Sequence, residues 1–188
     1  MDVHLAVALS RAPVARPTHR PIASNSDARR VARHAVIAVG LVAVVATAGW
    51  WTRGGDDVAI SRTIIDRTNL ARAESGLLPL EANPQLTRAA ESYAREMARR
   101  GWFDHTGPDG ASVDVRAEAA GYTAWEYLAE NLAMGAGRPD AGAVVERWLE
   151  SADHRRNILS PELRETGVAC YLADARYWCA QEFGTPPR

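Results

Sequence analysis

Beyond residue 52 the chain has only two histidines, and each lies in a local setting of its own. His105 sits in Trp102-Phe103-Asp104-His105-Thr106-Gly107-Pro108-Asp109-Gly110, and His154 in Ser151-Ala152-Asp153-His154-Arg155-Arg156-Asn157-Ile158-Leu159. Between them Glu130 stands in Ala129-Glu130-Asn131-Leu132-Ala133, a carboxylate inside an otherwise apolar stretch. Two imidazoles and a carboxylate are the donors of a divalent metal site or of a polar cleft. A carboxylate among apolar neighbours also requires a partner, and imidazolium or a metal would serve, although Glu130 could instead cap a helix or pair with one of the many arginines. Plainer uses exist for each group. His105 could satisfy backbone near Gly107, and His154 could favour the C-terminal end of a helix.

The elements that must position these groups are legible from periodicity. A helix is expected from about Val58 to Ser75, with Ile60, Ile64, Thr68 and Ala71 along one face and Gly76 as its stop. A second helix has the clearest signals, with Asn83 as N-cap, Pro84 in the first turn and Gly101 past the end. Its buried stripe is Leu86, Ala89, Ala90, Tyr93, Ala94 and Met97. Gly107-Pro108-Asp109-Gly110 reads as a turn, and Ser112 caps a short helix that ends before Gly121. Tyr127 to Ala133 is a strand or an extended connection. A further helix runs from about Asp140 to Ser151 and is followed by a short turn after His154. Two strands close the domain, about Thr166–Leu172 and Tyr177–Phe183. Helices first and a hairpin last indicate an α+β fold with a small antiparallel sheet.

The chain of 188 residues suffices for one domain plus appendages. Residues 1–34 carry six arginines against two aspartates, a charge of +4, so the remainder sums to −5. That balance argues against a nucleic-acid partner, which would require a basic face. Residues 1–34 read as a disordered Arg/Pro-rich tail, 35–51 as an uncharged apolar run, 52–57 as a polar linker and 58–184 as the folded domain. The seventeen-residue run from Ala35 to Trp51 is at the lower limit for a membrane span and also fits a signal-peptide core. Arg29, Arg30 and Arg33 precede it, which keeps the N-terminus cytoplasmic. In either case the domain lies outside the cytoplasm, anchored in the cell membrane or secreted after cleavage. The cysteines fit that compartment. If Leu172 faces Tyr177 across a loop at Ala173-Asp174-Ala175-Arg176, then Cys170 faces Cys179 and a cross-strand disulfide follows.

The order of these pieces resembles the CAP superfamily, also called the SCP/PR-1-like or cysteine-rich secretory protein family, in its compact bacterial form. The resemblance is carried by Asn69-Leu70-Ala71-Arg72 with Gly76-Leu77-Leu78-Pro79-Leu80, and by Ala89-Ala90 and Met97-Ala98. Phe103-Asp104-His105-Thr106, Ala120-Gly121-Tyr122 and Glu130-Asn131-Leu132-Ala133 follow in order. Trp148, His154-Arg155-Arg156-Asn157-Ile158-Leu159 and Gly167-Val168 complete it. It implies a three-layer α-β-α sandwich and a cleft lined by two histidines and two acidic residues. His105, Glu130 and His154 match three of those four positions. Where many eukaryotic members carry a glutamate three residues after the tryptophan, Ser151 stands here.

Three expectations about chemistry follow. His105, Glu130 and His154 could hold zinc or another divalent metal with one position open. The chain has no His-Glu-x-x-His helix, no Gly-x-Ser-x-Gly elbow and no activated cysteine, and Glu130 cannot be both ligand and general base. The first reading is therefore an envelope binding module for a lipid or a peptidoglycan fragment, tethered to the cytoplasmic membrane through residues 35–51. The alternative is a metal-dependent hydrolase or protease acting on extracytoplasmic peptides.

Overall fold

The computed structural model describes residues 7–11 and 48–187, with side chains from Val58 onward. Most of the expected tail and of the expected anchor, residues 12–47 among them, lies outside the described residues. Among the described residues no helix is long and apolar enough to cross a membrane. Strand β1, Val7–Arg11, lies within the stretch expected to be a structureless tail. It pairs antiparallel with the later strand Tyr127–Ala136, from Val7↔Asn131 to Arg11↔Tyr127. Helix α1 spans Ala48–Glu74, so Thr52 to Asp57 is helical and not a linker. That stretch has no proline, and Gly54 and Gly55 each cost a helix only about 1 kcal/mol.

Helix α2, Pro84–Arg100, follows a two-residue strand β2, Glu81–Ala82. Its caps are the expected ones. Asn83 accepts from the backbone N–H of Gln85 and Leu86, and Gly101 ends the helix in the left-handed region at φ 59°. Helix α3 is Val113–Ala119 and strand β3 is Tyr127–Ala136. Helix α4, Ala141–Glu150, is capped by the Asp140 side chain. A second short helix α5, Ala152–Ile158, then takes in His154, where a turn was expected after it. Seven mostly polar residues give too little apolar stripe for periodicity to register as a helix. Strands β4, Glu165–Ala173, and β5, Arg176–Thr185, form the closing hairpin.

The five strands run in the order β1-β3-β5-β4-β2, antiparallel throughout except for the short β2 beside β4. Cys170 pairs with Cys179, Tyr171 with Trp178 and Leu172 with Tyr177, the expected register, and the disulfide is formed with Cα atoms 4.0 Å apart. The loop is tighter than expected. Ala173 already pairs with Arg176, leaving only Asp174 and Ala175, both at positive φ, as a two-residue hairpin turn.

Helices cover both faces, giving the expected three-layer sandwich. Alternation along each strand decides which side chain goes where. Ala129, Ala133, Val168, Cys170, Cys179 and Phe183 pack against Ile64 of α1, Val144 and Trp148 of α4 and Ile158 of α5. Leu132, Ala169, Trp178 and Ala180 turn to the other face, against Ala90, Tyr93, Ala94 and Met97 of α2. Leu128 packs there too, with Val113 and Ala117 of α3. Arg72 of α1 is buried and donates to the carbonyls of Leu78, Ile158, Ser160 and Leu163, clasping α1 to the segment between α5 and β4. The Asn69 side chain bonds both N–H and C=O of Leu80. The Asn69-to-Arg72 motif is therefore architectural.

Candidate functional site

Glu130 is even-numbered on β3, like Leu128 and Leu132, so its side chain enters the α2–α3 layer, where nothing polar would await it by default. It is fully buried, and a histidine and an arginine meet it. His105 Nδ1 donates to Oε1 at 2.5 Å, and Arg116 Nη2 donates to Oε2 at 2.6 Å. Both carboxylate oxygens are thereby engaged in charge-assisted bonds, the condition for keeping a carboxylate charged in an apolar layer.

The two partners are themselves held. His105 lies on the loop after α2, which is stiffened from several sides. Tyr93 Oη donates to the Asp104 carbonyl, Thr106 N–H bonds Asp104 Oδ1, and Gly107 and Ala111 close the next turn. Arg116 comes from α3, on the same face as Val113 and Ala117, and is buried with them. Its Nη1 donates to the carbonyls of His105 and Ala111, and its guanidinium lies 3.5 Å from the centre of the Tyr93 ring. Burial works against the Arg116 charge, but Glu130 and Glu182 outweigh it and hold the guanidinium above its ordinary range.

Glu182 was not singled out by sequence. It faces Glu130 across the β3–β5 ladder and is completely buried. Burial first, and then the Glu130 charge, push its carboxyl well above the usual carboxylate range, with Arg116 pulling the other way. Tyr93 is likewise raised, chiefly by burial.

The structure brings His105 and Glu130 into direct contact, and the backbone of His154 is met by the residue next to Glu130. Asn131, the next residue along β3, points to the opposite face, where its amide donates to the His154 carbonyl at 3.3 Å. Asn157 of α5 bonds both the Glu130 carbonyl and Asn131 Oδ1. His154 is buried in α5, with Nδ1 2.8 Å from Ser151 Oγ. Ser151, at the position where a fourth acid was absent, is thus the near partner of this ring, and Glu150 is exposed. Sequence reasoning missed Arg116, Glu182 and Tyr93. The signal for Arg116 was an arginine at a helix position shared with Val113 and Ala117; for Glu182, its alternation with Trp178 and Ala180.

A resident divalent metal at His105, Glu130 and His154 does not fit this arrangement. Glu130 has given both oxygens to nitrogen donors, one of them a permanently charged guanidinium. Among the described residues no group of three or more His, Cys, Asp or Glu side chains is placed to hold a metal ion. A separate feature is a groove of about 630 Å³ beside β4 between α1 and α2, lined by Val58, Ile65, Val168 and Tyr171 and by the charged Arg62, Asp66 and Glu91 among others. Arg95 lies 5.9 Å over the Tyr171 ring at its rim.

Comparison with known proteins gives consistent similarities. The model of the cysteine-rich secretory protein family, CAP, matches residues 65–183. YkwD of Bacillus subtilis (strain 168), named as an uncharacterized protein, is 30% identical over 126 residues, 67% of this chain and 48% of that protein. YlbC of the same strain, named as an uncharacterized membrane protein, is 29% identical over 117 residues, 62% of this chain and 32% of that protein. The chain therefore spans half or less of these relatives' length. An extracellular protein containing an SCP domain from Bacillus anthracis str. Ames has a solved structure with TM-score 0.60 at 25% identity, covering 69% of this chain and 41% of that one. An outer surface protein from Borrelia burgdorferi shares the fold, with TM-score 0.61 at 21% identity, covering 67% of this chain and 92% of that one.

Proposed function

This chain belongs to the cysteine-rich secretory protein family, and from that premise we propose that it is an exported binding module whose ligand is a component of the cell envelope, a lipid or a cell-wall fragment. One observation carries the choice of binding over turnover. Glu130, the carboxylate that could act as base, lies between His105 and Arg116 with a nitrogen donor on each oxygen, and His105 Nε2, which has no hydrogen-bond partner among the described residues, is buried. A general base requires a free lone pair aimed at substrate. A carboxylate locked into two charge-assisted bonds instead stiffens the wall of a cleft.

Export is supported by the Cys170–Cys179 disulfide, a bond that persists in oxidising compartments, and by the apolar run at residues 35–51. Relatives named as extracellular or outer-surface proteins agree with it. The groove beside β4 supports an amphipathic ligand, its lining joining Val58, Ile65, Ala94 and Val168 to the charged Arg62, Asp66, Glu91 and Arg95.

The test is co-sedimentation of the purified full chain with vesicles of bacterial lipid extract and, separately, with peptidoglycan sacculi. Saturable binding to one of them is expected, and Ile65→Asp should weaken the vesicle arm at least tenfold. Retention by neither above background sinks the proposal.

A further inference from the structure

We propose that Arg116 holds the place a divalent cation would take at Glu130, making this centre an internal imidazole–carboxylate–guanidinium triad that excludes metal. The inference concerns the same cleft as the proposed function but does not depend on its ligand. Failure of either test leaves the other standing.

Three observations carry it. The first is saturation. A metal needs a carboxylate oxygen within about 2.0–2.2 Å, and both Glu130 oxygens already accept nitrogen donors, at 2.5 and 2.6 Å. His105 gives Nδ1 to the same carboxylate, so only its Nε2, which has no hydrogen-bond partner among the described residues, is left over, and one imidazole nitrogen alone does not make a metal site. The second is permanence. Lysine could lose its proton to admit a metal; arginine does not. Arg116 is pinned by two backbone carbonyls, His105 and Ala111, and stacked on Tyr93, so moving it aside would break all four of its contacts at once. The third is charge. A dication at Glu130 would sit beside a fixed guanidinium inside a low-dielectric layer, where like charges repel most strongly. Arg116 supplies what the metal would supply, a positive charge that makes buried Glu130 tolerable, and it also ties the His105 loop to α3. It is a positioning residue for His105.

The experiment is a zinc titration of the full chain after dialysis against chelator, with bound metal measured by emission spectroscopy. Zinc in the Glu130→Gln variant reports other sites, the N-terminal histidines among them, and is subtracted. The wild-type protein is expected to hold no Glu130-dependent zinc at micromolar concentration. Arg116→Met, checked for folding by circular dichroism, is expected to gain at least tenfold in zinc affinity, and Glu130→Gln in that background should abolish the gain. Stoichiometric Glu130-dependent zinc in the wild type would overturn the inference, as would a folded Arg116→Met with no gain. If Arg116→Met does not fold, nuclear magnetic resonance of the wild type decides. Arg116 guanidinium and His105 ring signals that stay put on adding zinc support the triad, and signals that move refute it.

Discussion

Glu130 and Glu182 stand directly opposite one another on β3 and β5, both fully buried, and only Glu130 has its charge provided for. Arg116 and His105 bond Glu130, whereas neither oxygen of Glu182 has a hydrogen-bond partner among the described residues. Two facing carboxyls in a low-dielectric layer do not both ionise. Alternation along the two strands forces the meeting, since each residue shares its face with the leucines, tryptophan and alanines that pack on α2 and α3. Glu182 is the one that keeps its proton.

The sign of the resulting pH dependence is fixed. Burial holds the folded Glu182 carboxyl well above the ordinary carboxylate range that it has in the unfolded chain, so between the two folding takes up a proton. Its favourable contribution is complete below the unfolded value and is lost as pH rises through the folded one, at up to about 1.4 kcal/mol per pH unit. Glu182→Gln keeps the shape without the proton. Urea unfolding should find the variant close to wild type near pH 4 and progressively the more stable of the two towards pH 7. A stability difference that does not change with pH would show that Glu182 is ionised in the fold.

Gly167 of β4 sets the approach of α2. A Cβ there would meet the Thr87 nitrogen at 2.1 Å and the Leu86 carbonyl carbon at 2.2 Å, backbone atoms that cannot rotate away. Gly167→Ala should therefore push α2 off the sheet and cost about 3 kcal/mol, at the upper end of overpacking effects. Because α2 carries Tyr93, on which Arg116 stacks, near-ultraviolet circular dichroism should change as well. Unchanged melting would mean that the helix has room the structure does not show.

These cases mark what could be read from the residues alone. Asn83, Pro84 and Gly101 bracket α2 because caps are local chemistry, and the hairpin register followed from alternation around two cysteines. Glu130 needing a charged partner was also legible, since burial of a carboxylate carries that demand with it. Which partner it would find was not. Arg116 is fourteen residues away and Glu182 fifty-two, and both sit at positions where periodicity says apolar. The bond from Asn131 to the His154 backbone was hidden for a related reason. Glu130 and Asn131 are neighbours in sequence but point to opposite layers, so one motif serves both. β2 escaped because two residues have no period.

The disulfide closes a loop of about ten residues, for which the chain-entropy relation gives about 2–3 kcal/mol. Replacing Cys170 and Cys179 together by alanine should lower stability by that amount in thermal unfolding. Reductant should reproduce the loss in the wild type and do nothing to the double variant. The effect should be confined to the hairpin end of the sheet, leaving the His105–Glu130 pair intact.

Two positions with nearly the same backbone angle carry opposite residues, and they give a paired prediction. Gly101 ends α2 at φ 59°, with nothing within 4 Å of where a Cβ would be. Ala175 turns the β4–β5 hairpin at φ 56°. The left-handed region costs an L-residue about 1–2 kcal/mol, while glycine enters it freely but has more unfolded-state freedom to lose, about 0.5–1 kcal/mol. Ala175→Gly should therefore stabilise by about 0.5–1 kcal/mol, because both central residues of such a turn require positive φ. Gly101→Ala should destabilise by about 1 kcal/mol through the angle alone, since no clash contributes. Asp174, at φ 49°, should gain less from glycine than Ala175, because its short polar side chain tolerates this region better. Denaturant melts should rank Ala175→Gly most stable, then Asp174→Gly, with Gly101→Ala least stable, and an Ala175→Gly protein weaker than wild type would show that the hairpin is not built on this turn.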